Sequence, residues 1–124
     1  MNDGEAVIER IAGVTIWTEH LEQLAAFYRD VLDLTVHSVQ PDFIAFDLGG
    51  ARFNIGRHSQ VSGPAADPYR VMINLGTDDI HAAHERLRSG GVEFIRPPER
   101  EHWGGWVATF RDPDGNILQL LQLP

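Results

Sequence analysis

Hydrophobic and polar residues follow two periods along this chain, and the order of the two periods repeats. The segment VTIWTEHLEQLAAFYRDVLDLTV begins with the alternation of a β-strand and continues with apolar residues three to four positions apart, as in an amphipathic helix. The apolar face of this predicted helix consists of Leu21, Leu24, Ala25, Tyr28, Val31 and Leu32. The segment RVMINLGTDDIHAAHERLRSGGVEFI shows the same change of period. The pattern predicts a strand followed by a helix in each half of the chain.

The second predicted helix has its own start and stop signals. Its apolar stripe consists of Ile80, Ala83 and Leu87. We expect Thr77 or Asp78 to cap its first turn, because short polar side chains accept hydrogen bonds from the free N–H groups of that turn. Gly90 and Gly91 are expected to end it, because glycine tolerates the backbone conformation that closes a helix.

The remaining strands repeat as well. IAFDLGGARFNIGR and WVATFRDPDGNILQLLQ each read as two strands around a glycine-containing turn, and LTVHSVQ and VEFIRPP each supply one more short strand. Aligning Thr18 with Thr77 gives an offset of 59 residues (77 − 18), and aligning Gly50 with Gly115 gives 65 (115 − 50). Each half is therefore predicted to be a βαβββ unit.

The repeat also sets the expected domain boundaries. The two units fall at about residues 11–57 and about residues 70–122, and a loop rich in glycine, proline and small polar residues joins them at 58–69. Because neither unit has enough apolar residues to close a core alone, we expect a single domain over residues 1–124.

Composition excludes several kinds of chemistry and of partner. The chain contains no cysteine, which rules out disulfides, thiolate metal sites and a cysteine nucleophile, and no lysine, which rules out Schiff-base catalysis. A net charge of −8 disfavours nucleic acid and anionic membranes. No apolar run approaches the length of a membrane span, and MNDGEAVIER is too acidic for a secretory signal, so a cytoplasmic location is expected.

The duplicated βαβββ pattern, the AAFYRDVLDL helix end and the C-terminal F-x-DPDGN-x-L-x-L motif together resemble the vicinal oxygen chelate superfamily. This superfamily includes glyoxalase I, extradiol dioxygenases, fosfomycin-resistance enzymes and bleomycin-resistance proteins. The resemblance covers the chain from about Ile11 to Leu123. It implies an α+β fold in which two βαβββ modules form a curved, cup-like, eight-stranded mixed sheet around a central pocket, with the helices outside.

Strand alternation predicts which residues line this pocket. The helices need the apolar face of each strand, which leaves the more polar face for the inside of the cup. The predicted ligand-binding residues are Thr15, Trp17, Arg52, Asn54, Met72, Asn74 and Gln119, with Trp103 from the HWGGW segment. The tryptophans can stack on a planar ligand and Arg52 can hold an anion. The alternatives are core or interface packing for the tryptophans, above all for Trp106, and an ion pair with Asp47 for Arg52.

The resemblance further implies four metal-ligand positions, which metal-dependent members usually occupy with His and Glu. In this sequence the four positions are Gly13, Asn54, Met72 and Gln119. A glycine, a thioether and two neutral amides are poor ligands for the divalent cations that these enzymes use. We therefore expect no metal and no other cofactor, and none of the metal-dependent reactions of the superfamily.

A displaced active site would need other polar residues. His58 and His102, which flank the expected openings of the cup, and the acid Glu101 are the candidates, although structural roles are favoured for the two histidines. His81 and His84 lie three residues apart on the second helix without an evident third ligand, and we expect them to be structural. DPDG is ordinary hairpin chemistry, because proline and glycine occupy their preferred turn positions.

These observations favour a small-molecule binding protein similar to the metal-free, bleomycin-resistance-like branch of the superfamily. Its ligand would be a polar or planar antibiotic or metabolite, and the resemblance implies a homodimer. The alternative is a lyase, isomerase or oxygenase with a non-canonical active site. A purely structural interaction module fits poorly with so many polar residues that face inward.

Overall fold

A computed structural model describes residues 7–124, and its helices and strands form two βαβββ modules. The first module contains β1 (Gly13–Thr18), α1 (Leu21–Ala26) with a π-helical extension (Phe27–Val31), β2 (Thr35–Gln40), β3 (Phe43–Leu48) and β4 (Ala51–Arg57). The second contains β5 (Met72–Gly76), α2 (Ile80–Ser89), β6 (Phe94–Arg100), β7 (Trp106–Arg111) and β8 (Ile117–Gln122). The predicted α+β class with two βαβββ modules is confirmed.

The eight strands are divided between two four-stranded sheets. Sheet 1 has the order β1-β4-β3-β2, and sheet 2 repeats it as β5-β8-β7-β6. β1 is parallel to β4 and β5 is parallel to β8, whereas the other neighbours are antiparallel. Thr15 lies opposite Asn54 in sheet 1, and Asn74 lies opposite Gln119 in sheet 2. The offsets of 59 and 65 residues relate these two pairs, so the sequence repeat is also a repeat of strand register.

One apolar core joins the two modules. Its buried residues are Ile16, Leu21, Leu24, Tyr28, Phe46, Phe53 and Ile55 from the first module and Ile80, Leu87, Val92, Ala108, Phe110, Leu118 and Leu120 from the second. Because alternate residues of a strand point to opposite faces, the residues between these strand positions lie on the other face of each sheet. We call that face the open face of sheet 1 or sheet 2.

Helix α1 contains one residue more than α2. At the end of the first helix the N–H of Leu34 donates to the carbonyl of Tyr28, whereas in the second module the N–H of Val92 donates to the carbonyl of Leu87, each at 3.0 Å. Tyr28 and Leu87 are 59 residues apart, but Leu34 and Val92 are only 58 apart (92 − 34). The π-helical turn over Phe27–Val31 accommodates the extra residue. The first predicted helix therefore ends in an irregular turn.

The start of α2 differs from the prediction, and its end agrees with it. The N-cap is Asp79, whose carboxylate accepts a 3.0 Å hydrogen bond from the first helical turn, instead of Thr77 or Asp78. The hydroxyl of Thr77 accepts from the N–H of Asp79 and so supports the cap from outside the helix. Gly90 ends the helix and Gly91 takes a positive φ of 98°. Within residues 7–124 no helix is long and apolar enough to cross a membrane.

Candidate functional site

The open face of sheet 1 carries Thr15, Trp17 and Asn54. Asn54 Nδ2 donates to Thr15 Oγ1 at 3.3 Å. The Trp17 ring lies over Gly56, where an added Cβ would be 2.7 Å from Trp17 Cζ3, and its centroid is 6.1 Å from that of Phe43. The Trp17 residue is nevertheless 42% exposed. The sheet thus supports part of the indole and leaves part of it accessible to a planar ligand.

Arg52, on the same face, already has partners. Its guanidinium forms an ion pair with Asp47, which lies directly opposite on β3, and its Nη2 lies 3.2 Å from His37 Nε2. His37 Nδ1 lies 3.4 Å from Asp47 Oδ2. The arrangement is the ion-pair alternative of the sequence analysis, and an anionic ligand would have to compete with Asp47 for Arg52.

The open face of sheet 2 carries Met72, Asn74 and Gln119. Gln119 Nε2 donates to Met72 Sδ at 3.6 Å, and this is the one side-chain hydrogen bond of Gln119 within the described residues. A thioether is a weak acceptor. Asn74 lies beside Gln119 on the neighbouring strand and is exposed. The Gln119 amide therefore keeps its oxygen and a second N–H for another partner.

The predicted pocket residues thus form two groups rather than one. Among residues 7–124, the hydrogen bonds of these side chains stay within their own module. Asn54 and Gln119, the equivalent amides of the two modules, bond to Thr15 and Met72 and not to each other. Within a single chain each open face remains accessible.

Trp103 lies apart from both groups, in the turn between β6 and β7. Gly105 makes room for its ring, since an added Cβ would lie 1.9 Å from Trp103 Cζ3 and 2.8 Å from the carbonyl oxygen of Gln122. The tryptophan is 44% exposed. It therefore covers the turn beside the end of β8. Trp106 follows in β7, partly buried against the core and 4.9 Å from the His81 ring, as the packing alternative predicts.

The candidates for a displaced active site lie in different modules. The His58 ring, just after β4, meets the Trp17 ring edge-on with centroids 5.3 Å apart. Glu101 and His102 belong to the β6–β7 turn, where Glu101 forms a 2.9 Å ion pair with Arg96. Of the three candidates, His58 is the one in contact with a predicted ligand-binding residue.

The residues at the four family metal positions do not fit a divalent cation. At Gly13 an added Cβ would lie 2.6 Å from the carbonyl oxygen of Arg52, so even a small side chain would displace β4. The sulfur of Met72 accepts from Gln119. Asn54 and Gln119 offer neutral amides, which are weak ligands for the metals of this fold. Across residues 7–124 no group of three or more His, Cys, Asp or Glu side chains is placed to hold a metal elsewhere.

The DPDGN turn between β7 and β8 anchors the first module to the second. Tyr28 Oη donates to Asp112 Oδ2 at 2.7 Å, and Thr18 Oγ1 donates to Asp114 Oδ2 at 2.5 Å. Asp112 also accepts from the N–H groups of Asp114 and Asn116 and from the Asn116 amide. Burial is the main cause that raises the pKa of the Asp112 carboxyl and the pKa of the Tyr28 hydroxyl.

The structural interpretation of DPDG is thereby confirmed, but the sequence analysis missed what the motif binds. The two partners are 84 and 96 residues away along the chain. Only the co-occurrence of the FYRD and DPDGN segments pointed to a pairing.

A cavity of about 600 Å³ lies between the two modules, on the helix side of both sheets. Of the predicted ligand-binding residues, only Arg52 and Asn74 line it. The sequence gave no sign of this cavity, because it depends on how the two modules meet.

Proteins of known sequence and structure resemble this chain over most of its length. YetH, an uncharacterized protein of Bacillus subtilis, is 23% identical over 119 residues, which are 92% of this chain and 98% of YetH. A bleomycin resistance protein of Klebsiella pneumoniae is 32% identical over 68 residues, 48% of this chain and 54% of that protein. The structure of a lactoylglutathione lyase from Agrobacterium tumefaciens superposes with a TM-score of 0.77 at 19% identity, covering 94% of this chain and 96% of that one. At this identity, the structural likeness shows the fold.

The family assignment rests on the match over nearly the whole chain. A sequence model of the Glyoxalase/Bleomycin resistance protein/Dioxygenase superfamily matches residues 10–120. This range contains both βαβββ modules except the last residues of β8. The resemblance drawn from the repeat and from the FYRD and DPDGN segments is therefore confirmed, and the chain belongs to the glyoxalase/bleomycin resistance protein/dioxygenase superfamily.

Proposed function

We propose that this protein binds a polar small molecule with a planar group on the open faces of its sheets, without a metal ion. The observation that carries the proposal is the pair of amides, Asn54 and Gln119, at equivalent family metal positions. Each has one weak or long hydrogen bond within its sheet. A carboxylate in place of Gln119 would be a partly buried anion without a cation, whereas an amide avoids that cost and still offers donors and an acceptor.

Trp17 supports the same proposal from the neighbouring strand. Gly56 and Phe43 hold part of the indole, and the accessible remainder is available to stack on a ligand ring. Stacking with neutral hydrogen bonds suits an amide or a heteroaromatic ring. The ligand would be an antibiotic that the protein sequesters or a metabolite.

We further propose that two copies of the chain form a homodimer. Sites for small molecules usually bury most of the surface of the ligand. The open face of one sheet covers only one side, and within one chain Thr15, Trp17 and Asn74 are exposed. The open face of a second copy would supply the opposite wall. Light scattering should give twice the 13.9 kDa mass of the chain, and a monomer mass at every concentration would reject this part of the proposal.

Native mass spectrometry of freshly purified protein tests the proposal as a whole, since it reports metal, retained ligand and subunit number together. A stoichiometric transition metal that survives dialysis would contradict it. Bleomycin, which contains many amides and heteroaromatic rings, is the first probe because of the Klebsiella relative. We expect metal-free bleomycin to change the tryptophan fluorescence of the wild type and of Trp103→Phe. The change should be lost in Trp17→Phe.

The position of His58 keeps the enzymatic alternative as a second candidate. His58 lies against Trp17, so a lyase, isomerase or oxygenase of this superfamily could use it beside a bound substrate. The double variant His58→Ala with His102→Ala separates the two candidates. An enzyme should lose turnover of its substrate, whereas a binding protein should keep its affinity for the ligand. A cytoplasmic location stays a prediction.

A further inference from the structure

The cavity between the modules occurs where the internal repeat is broken. The offset of 59 residues relates Thr18 to Thr77 and Tyr28 to Leu87. At the first junction, Thr18 and Tyr28 bind the DPDGN turn. At the second junction, Thr77 and Leu87 line the cavity of about 600 Å³ together with Gly49 of the corresponding β3–β4 turn. Equivalent positions are thus bridged on one side and open on the other.

The length and composition of the two turns explain the difference. The β3–β4 turn consists of Gly49 and Gly50, both at positive φ, between the paired residues Leu48 and Ala51. It has no side chain that could reach Thr77, and an added Cβ at either glycine would meet nothing within 4 Å. The cavity follows from this short turn, and the turn leaves space beside its tip.

The lining of the cavity combines an apolar wall with a cationic edge. Leucine, isoleucine and valine side chains from both modules form the wall, among them Leu34, Leu75 and Leu87. The two charged residues of the lining are Arg52 and Arg86, and no acidic residue belongs to it. Its size falls within the range typical of small-molecule sites.

Arg86 has hydrogen-bonding capacity to spare. Its Nη2 donates to Asp33 Oδ2 at 3.0 Å across the junction, and both side chains are about two-thirds exposed. Such an exposed pair contributes little to stability. A guanidinium carries five N–H donors, so a second carboxylate can bind Arg86 without displacing Asp33.

We propose that this cavity is a second ligand site, which takes an amphipathic carboxylate. The apolar body lies between the modules, and the carboxylate binds Arg86 at the edge, with Thr77 as a further polar group of the lining. The net charge of −8 opposes anions at long range, but salt screens charges more than about 8 Å away, so the local arginines decide. This site lies on the helix side of the sheets, separate from the open faces proposed above.

Decanoate, below its micelle-forming concentration, is the probe for the position of the site. Methyl-resolved NMR of the wild type should show shifts for Leu75, Ala83 and Leu87 and no shift for Met72. Ala83→Trp should fill the cavity and abolish decanoate binding, while Ala82→Trp, at the exposed neighbour on the same helix, should keep it. Shifts at Met72, or unchanged affinity in a folded Ala83→Trp, would overturn the proposal.

The class of ligand is tested with matched head groups and matched arginines. Arg86→Gln should weaken decanoate roughly tenfold, as expected for loss of a hydrogen bond to a charged group. Arg88→Gln removes an arginine that pairs with Glu85 on the same helix and should change nothing. Equal affinity for decan-1-ol and decanoate would refute the carboxylate class. Because Ala83→Trp leaves the open faces intact, its bleomycin response should persist, so the two proposals can fail independently.

Discussion

The two junctions between the modules are equivalent by sequence offset and opposite in structure. At the first, a long acidic turn enters the junction and binds the fully buried Tyr28 and Thr18. At the second, a turn of two glycines leaves the cavity beside Thr77 and Leu87. The strands and their register are the same in both modules. The comparison teaches that in this fold the turns decide whether a junction is structural or available to a ligand.

The acidic junction is held by hydrogen bonds rather than by ion pairs. Four donors converge on the Asp112 carboxylate. They offset a desolvation cost that would otherwise disfavour a buried carboxylate. Its counterpart beside the short turn, Asp47, is exposed and bonds to Arg52 instead.

Removal of Asp112 should have the largest effect on folding. Asp112→Ala leaves the Tyr28 hydroxyl and two backbone N–H groups without their acceptor, so the free energy of unfolding should fall by about 3 kcal/mol or more. Asp47→Ala, the matched change beside the short turn, should cost at most about 1 kcal/mol, because exposed ion pairs contribute little. Urea unfolding measures both. Equal losses in the two variants would break the comparison.

Loss of the Tyr28 hydroxyl alone should have a smaller effect. Tyr28→Phe keeps the ring in the core and removes one hydrogen bond to Asp112, which should lower the free energy of unfolding by about 1–2 kcal/mol. Tyr69→Phe is the control, since Tyr69 is 54% exposed in the joining loop. If both variants melt at the wild-type temperature, the first junction does not depend on this bond.

The pH dependence of Asp112 should be smaller still, and its sign is fixed. Burial raises the pKa of the folded carboxyl above its ordinary value of 3.8. Between 3.8 and the raised pKa the folded protein binds more protons than the unfolded chain, so this contribution to stability falls as the pH rises. The stability of the wild type relative to Asp112→Asn should therefore decline from pH 3.5 to pH 7. A relative stability that rises with pH would show that the hydrogen bonds outweigh burial.

The sequence predicts what depends on local periodicity. The offsets between Thr18 and Thr77 and between Gly50 and Gly115 located all eight strands and the pairs that face each other across them. It did not predict the extra residue in α1, because a π-helical turn leaves the apolar pattern almost unchanged. Asp79 was missed as a cap because three polar residues in succession precede the helix.

The long-range features of the site escaped prediction for a different reason. Alternation correctly places Asn54 and Gln119 on the polar faces of their strands, but it contains no information about the space between two sheets. The bonds from DPDGN to Tyr28 and Thr18, and the cavity beside Gly49, depend on how the modules pack. Periodicity along one strand does not encode that packing.

The most direct test of the proposed function compares two glutamines of β8. Gln119 faces the open side, whereas Gln122 Oε1 accepts a 2.7 Å hydrogen bond from the N–H of Ile80 at the start of α2. The measurement is the affinity for the ligand, bleomycin or the molecule found by native mass spectrometry, together with the melting temperature of each ligand-free variant. Gln119→Leu should weaken binding by about 1–3 kcal/mol at an unchanged melting temperature. Gln122→Leu should lower the melting temperature and leave the affinity unchanged. A Gln119→Leu protein that is less stable and binds as tightly as the wild type would contradict the account.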